Sequence, residues 1–240
     1  MSRLRQTAKY ILDNLGIAIT QNQRYDKYTR QVIESAVTEN SNCIDVGCHK
    51  GEILDIMLKY APKGKHFCFE PIPYLFKDLE AKYSGKAKFY NLALSDSEDV
   101  LSFNWVKNAP AYSGLRRRKY DVANPDIEEI KVDVKRLDDL IPPDVKIDLI
   151  KIDVEGAEFG VIKGAEQTLK RCKPVMVFEC GLGASEFYGT NPAELYNFIT
   201  QKCGLNISLL TEYASRKKLS ETNFVAVYTQ NKDYAFVAFP

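Results

Sequence analysis

Two stretches of this 240-residue chain put acidic side chains where they could meet a ligand. In the first, Asp45-Val46-Gly47-Cys48-His49-Lys50-Gly51-Glu52, a short apolar run ends in an acid, turns through two glycines and enters a helical pattern. Glycine lets a backbone turn sharply and lets a ligand come close. The helix that follows aims unpaired N–H groups and a partial positive charge at the same spot, which suits an anionic group. In the second, Lys151-Ile152-Asp153-Val154-Glu155-Gly156-Ala157-Glu158, strand alternation sends Lys151 and Asp153 to one side and Ile152 to the other. Asp153 ends that strand, and Glu155 reads as the start of the next helix, where the dipole favours its charge. Helix capping would account for one such acid. Three so close together point instead to contact with a substrate hydroxyl or with a divalent ion such as Mg²⁺, for which Asp153 and Glu155 would supply oxygen ligands.

The first motif reads D-x-G-x-x-x-G, not the G-x-G-x-x-G of a dinucleotide site. An acid at position 45 would lie against the pyrophosphate of NAD and repel it. S-adenosylmethionine (SAM) has no phosphate and carries an ammonium group, so there the acid is welcome. Glu70, 23 positions after Gly47, ends a second apolar run and is placed to accept both hydroxyls of a ribose. Asp45, Gly47, Cys48, His49 and Gly51 then form the turn around the cofactor's amino-acid end. His49 titrates near neutrality and could act as a base, but loop structure or cofactor contact is the simpler role. Cys43, Cys48 and His49 lack a second ligand pair at zinc spacing.

These residues need a scaffold that brings them to one edge. The pattern gives helices over Tyr28–Val37, Glu52–Lys59, Pro73–Lys82, Glu155–Arg171 and Pro192–Lys202. Strands are expected at Asn42–Val46, His66–Phe69, Ala87–Leu92, Val100–Val106, Ile130–Val134, Ile147–Ile152, Val175–Phe178, Ile207–Leu210 and Tyr234–Phe239. Alternation of short apolar strands with helices predicts a parallel sheet covered on both faces. Ligands bind such sheets at the carboxyl ends of the strands, here marked by Asp45, Glu70, Asn91 with Ala93, Asp153 and Glu179. The stretch 107–126 is irregular and holds the run Arg116-Arg117-Arg118-Lys119. That run reads as a solvated loop or as a grip on an anionic substrate.

Composition excludes several classes. A net charge of +1 gives no global field for nucleic acid, and no apolar run is long enough for a membrane span. Leu4, Ala8, Ile11, Leu12 and Leu15 recur at helical spacing, interrupted by Lys9, Asp13 and Asn14. They suggest an amphipathic helix rather than a secretion signal, and residues 1–40 form a helical extension before a domain spanning 41–240. Six cysteines without a C-x-x-C pair fit reduced thiols in a cytoplasmic protein.

With these residues in view, the chain resembles the FkbM family of SAM-dependent methyltransferases. The likeness rests on the two motifs, on Phe69-Glu70-Pro71, on Asn91-Leu92-Ala93-Leu94-Ser95-Asp96, on Ser113-Gly114-Leu115 and on Arg136-Leu137-Asp138. His49-Lys50 departs from the small residue and asparagine found in many members. The resemblance implies a class I, Rossmann-like α/β fold with a seven-stranded, mostly parallel sheet, helices on both faces and an antiparallel last strand, for which Tyr234–Phe239 is the candidate. It implies Asn91 and Ala93 on the adenine side, and O-methylation of a hydroxyl on a sugar, glycan or other small-molecule acceptor. Asp153, with Glu155, would orient or deprotonate that hydroxyl. The competing readings are an NAD-linked oxidoreductase, a SAM-binding module without catalysis, and RNA methylation, for which the chain lacks a broad basic excess.

Overall fold

A computed structural model describes residues 21–120 and 122–240, the side chain of Asn22 excepted; the helix expected around Leu4–Leu15 lies outside the described residues. The strands β1 (Cys43–Val46), β2 (His66–Phe69), β3 (Lys88–Tyr90), β7 (Leu149–Ile152), β8 (Val175–Glu179), β9 (Asn206–Leu209) and β10 (Ala235–Phe239) form a seven-stranded sheet in the order β3-β2-β1-β7-β8-β10-β9. The first five run parallel. β10 enters antiparallel between β8 and β9, as expected for the last strand. This is the class I methyltransferase fold.

β1, β2 and β7 are buried along their whole length, which explains their mostly apolar character, with Asp45, His66 and Lys151 as the exceptions. One face, carrying Ile44, Val46, Ile150, Ile152, Met176, Phe178 and Phe236, packs on helices α4 (Glu158–Gly164), α5 (Glu166–Cys172), α6 (Pro192–Asn197) and α7 (Glu221–Thr229). On the opposite face, α1 (Gln21–Ala36) lays Tyr25, Val32 and Ile33 against Cys43, Leu149, Val175, Val177, Val237 and Phe239. Helix α1 therefore shares the sheet's core. α2 (Glu52–Tyr60) and α3 (Pro73–Lys82) follow β1 and β2 as expected.

Three boundaries differ from the sequence reading. α1 covers Gln21–Ala36 among the described residues and so reaches back beyond the expected Tyr28, because the stripe Tyr25, Thr29, Val32 and Ile33 extends its buried face one turn into a polar segment. The helix expected over Glu155–Arg171 starts only at Glu158 and is interrupted at Ala165. Glu155 and Gly156 take φ values of 58° and 108°, outside any right-handed helix. Asn91 falls past the end of β3.

The strands read at Val100–Val106 and Ile130–Val134 are β5 (Asp99–Val106) and β6 (Ile127–Lys135). They pair antiparallel along their length and, with β4 (Ala93–Leu94), make a separate three-stranded sheet. The segment between them folds back over the carboxyl ends of the main strands. It is pinned where Asn104 and Gly114 exchange backbone hydrogen bonds of 2.8 and 3.2 Å.

Candidate active site

The glycine turn after β1 is held from three sides. Gly47 has φ 78°, and a Cβ there would overlap the carbonyl oxygen of Asp153, so β1 and β7 approach closely at their ends only because position 47 has no side chain. Gly51, at φ 83°, stands against the ring of Tyr83, whose hydroxyl donates to the Gly51 carbonyl at 3.0 Å. Glu70, 4% exposed, accepts the His49 N–H through Oε2 and the Ile72 N–H through Oε1, both at 2.9 Å. Burial pushes Glu70 up to about 7 despite those two donors. Asn91 donates to the carbonyls of Glu70 and Pro71 at 2.9 and 3.0 Å, fixing the end of β2.

Two cavities open at this edge. A pocket of about 600 Å³ is walled by Val46, Phe69, Ile72, Leu92, Ala93 and Leu94 and presents Glu70. The folded-back segment roofs it with Ala111, Ser113 and Leu115. A larger cleft, open to solvent and about 2210 Å³ in extent, runs between α1 and the sheet. Asp45, Cys48, Lys151 and Glu179 line it, and Gln23, Thr29 and Arg30 of α1 form its outer wall. The two share Gly47, His49, Ala111, Asp153 and Glu155, so their junction lies at the ends of β1 and β7.

Asp45 is 1% exposed, and its Oδ2 has no hydrogen-bond partner. Burial raises it to about 7, with Asp153 adding to the rise and Lys151 opposing it. Lys151 lies in register between Asp45 on β1 and Val177 on β8. It is buried, and its ammonium pairs with Asp153 Oδ2 at 3.1 Å. The Asp153 side chain is 43% exposed and faces both cavities. His49, at φ 47°, leaves Nε2 buried without a partner, and burial lowers its pKa, so it is neutral at pH 7.

The acids of the second motif have separate tasks. Glu158 is buried and reaches back to accept the N–H groups of Val154 and Gly156, both at 3.1 Å, so it caps its own turn. Glu155 is paired with Arg118, whose guanidinium stands 5.1 Å from the ring of Tyr112. Arg117 donates through Nε to Asn104 Oδ1 at 3.0 Å. Two members of the basic run therefore make contacts within the fold, while Arg116, Arg117 and Lys119 stay exposed to solvent. Asp153 pairs with Lys151 and Glu155 with Arg118. Among the described residues no group of three or more His, Cys, Asp or Glu could hold a metal ion, so the Mg²⁺ reading gains no support. All six cysteines are free and buried.

Of the residues expected to touch the cofactor, Gly47, His49, Glu70 and Ala93 line the pocket, while Asp45 and Cys48 line the cleft. Gly51 and Asn91 lie behind, shaping the turn and the end of β2. Sequence reasoning missed the α1 wall and gave Lys151 no role of its own.

Fold and site together define a class I methyltransferase architecture. The Methyltransferase FkbM domain model matches residues 45–207, and the chain belongs to that family. It is 27% identical over 161 residues to the 2-O-methyltransferase NoeI of Sinorhizobium fredii, covering 61% of this chain and 66% of that protein. It is 30% identical over 159 residues to methyltransferase sdnD of Sordaria araneosa, covering 53% and 61%. The chain thus spans about three-fifths to two-thirds of these relatives. The crystal structure of a methyltransferase FkbM from Methylobacillus flagellatus matches with a TM-score of 0.53 at 15% identity, over 85% of this chain and 44% of that one, and supports the fold.

Proposed function

We propose that this chain is a SAM-dependent O-methyltransferase acting on a hydroxyl of a sugar, glycan or other small-molecule acceptor. The observation that carries the reading is the meeting of a mainly apolar pocket that presents Glu70 with a polar, acid-lined cleft, the two joined at Asp153 and Glu155. Such a junction is what a reaction between an adenosine-bearing donor and a hydroxylated acceptor requires. The residues fit the donor: Gly47 leaves room beside the turn, Glu70 offers its remaining lone pairs to ribose hydroxyls, and Leu92, Ala93 and Leu94 flank the base. The partnerless Asp45 Oδ2 suits an ammonium group.

SAM, when bound, supplies an electrophilic methyl on a sulfonium. Asp153 stands at the junction, is half-exposed, and is held by Lys151. It accepts the proton of the acceptor hydroxyl while the cleft aligns the oxygen. A positioned base is worth about 10²–10⁴-fold, and alignment up to about 7–11 kcal/mol. Glu155, engaged by Arg118, shapes the wall rather than taking the proton. The FkbM family and the 2-O-methyltransferase NoeI support oxygen as the target atom. No helix among the described residues is long and apolar enough to cross a membrane. Unpaired thiols fit a cytoplasmic setting.

The test is calorimetric titration with SAM and with NAD, followed by methyl transfer to a panel of sugar and natural-product hydroxyls. Micromolar SAM binding and methylated product support the reading; NAD binding instead would sink it.

A further inference from the structure

The floor of the cleft is short of positive charge. Lys151 is the one buried lysine or arginine among the described residues. Three carboxylates share it: Asp45 from β1, Asp153 from the end of β7 and Glu179 from the end of β8. One ammonium cannot balance three carboxylates gathered this closely, of which Asp45 is fully buried and Glu179 partly so, and clustered like charges do not all ionise together. The unpartnered Asp45 Oδ2 marks the place where a positive charge or a proton is wanting.

The other described groups facing this floor do not close the gap. Asp26, Lys27 and Arg30 of α1 line the cleft but are exposed to solvent. His49 and Glu52 flank Asp45, the first neutral and the second a further acid. Glu155 and Glu158 lie beyond Asp153, where Arg118 answers the former. Tyr25 and Tyr234 stand beside Glu179, and burial pushes both phenols up, so they stay neutral.

We propose that Asp45, Glu179, Asp153 and Lys151 form an acid cluster that holds a proton when the cleft lacks a cationic ligand and gives it up to solvent when the ammonium group of SAM is seated. The proposal rests on the SAM reading above, but it concerns how this chain receives the charge. The raised positions of Asp45 and Glu179, both caused first by burial, agree with a proton held near neutrality. The exchange is balanced: the ligand's positive charge takes the place of the proton, the net charge of the cluster is unchanged, and the proton passes to buffer. Donor affinity should therefore rise with pH through the neutral range.

Calorimetry of the full chain with SAM at pH 7, in phosphate and in Tris, reads the proton directly, because the two buffers differ in ionisation enthalpy. A substantial fraction of one proton released per SAM bound is expected, falling by half or more in Glu179→Gln and in Asp45→Asn. Two variants guard against one that fails to fold, which circular dichroism would show. Equal enthalpies in the two buffers, with saturable SAM binding, would overturn the cluster proposal and leave the methyl-donor reading intact. Release persisting undiminished in both variants would place the proton elsewhere and overturn it too. No SAM binding at all would overturn both.

Discussion

The two carboxylate oxygens of Glu70 accept the backbone N–H groups of His49 and Ile72, each at 2.9 Å, so one buried side chain ties the glycine turn after β1 to the start of the helix after β2. On the proposed reading, the same group sets both the ribose position and the shape of the turn. Glu70→Ala should weaken SAM binding at least tenfold by calorimetry. Glu70→Gln, which keeps one acceptor oxygen, should fall between the variant and the native chain. An unchanged affinity in Glu70→Ala would remove Glu70 from the cofactor site.

Asp153→Asn keeps the size of the side chain and removes the proposed base. Turnover should fall by about 10²–10⁴-fold, a far larger change than any in SAM affinity. Parallel losses in both quantities would show that Asp153 serves binding instead.

Gly47→Ala must place a methyl group against the Asp153 carbonyl while holding φ near 78°. The left-handed backbone alone costs about 1–2 kcal/mol, and the overlap adds to it. Thermal denaturation should show a lower midpoint, and SAM binding should be lost because β1 and β7 separate. A native midpoint would mean that the turn has room not visible in its geometry.

Burial raises Asp45, Glu70 and Glu158 each to about 7. In the unfolded chain these acids lose their protons near pH 4, so between about pH 4 and 7 the folded state binds more protons. Their contribution to stability is full below that range and is lost as pH rises through 7. The ligand-free protein should melt at a lower temperature at pH 7.5 than at pH 5.5, with a smaller difference in Asp45→Asn. A rise in melting temperature over that interval would contradict the assignment.

Arg118, with a side chain 10% exposed, is the cation answering Glu155. Removing one member of a buried pair costs about 3–5 kcal/mol, and Glu155, at 24% exposure, lowers that to about 2–3 kcal/mol here. Arg118→Ala should destabilise by that amount in urea. Adding Glu155→Gln should recover much of the loss, whereas simple additivity of the two would show that the pair is not coupled.

The parallel core was legible because each strand is a short apolar run closed by a chemically distinct residue. Asp45, Glu70, Asp153 and Glu179 could be placed on one edge from that alone. Pairings between distant segments were not legible. Nothing local in Asp99–Val106 says that it pairs with Ile127–Lys135 in a sheet of its own, and the roof of the pocket depends on that pairing. The helix at Glu221–Thr229 was missed although Ser220 caps it, because its apolar side chains do not follow one face cleanly. Glu155 was misplaced onto a helix because a left-handed residue other than glycine leaves no mark in composition. The partners of the basic run were equally hidden, since Asn104 and Glu155 come from different elements.

The three-stranded hairpin sheet shares no strand with the seven-stranded one, yet it supplies Ala111, Ser113 and Leu115 to the pocket. The ceiling and the foundation of this site are thus built as separate pieces. Residues between Val106 and Ile127 can be lengthened, shortened or exchanged without breaking a rung of the main ladder. A lineage could remodel what enters the site by rewriting that one insert, and an engineer seeking a new acceptor would begin there, leaving the strands that carry Asp45 and Asp153 untouched.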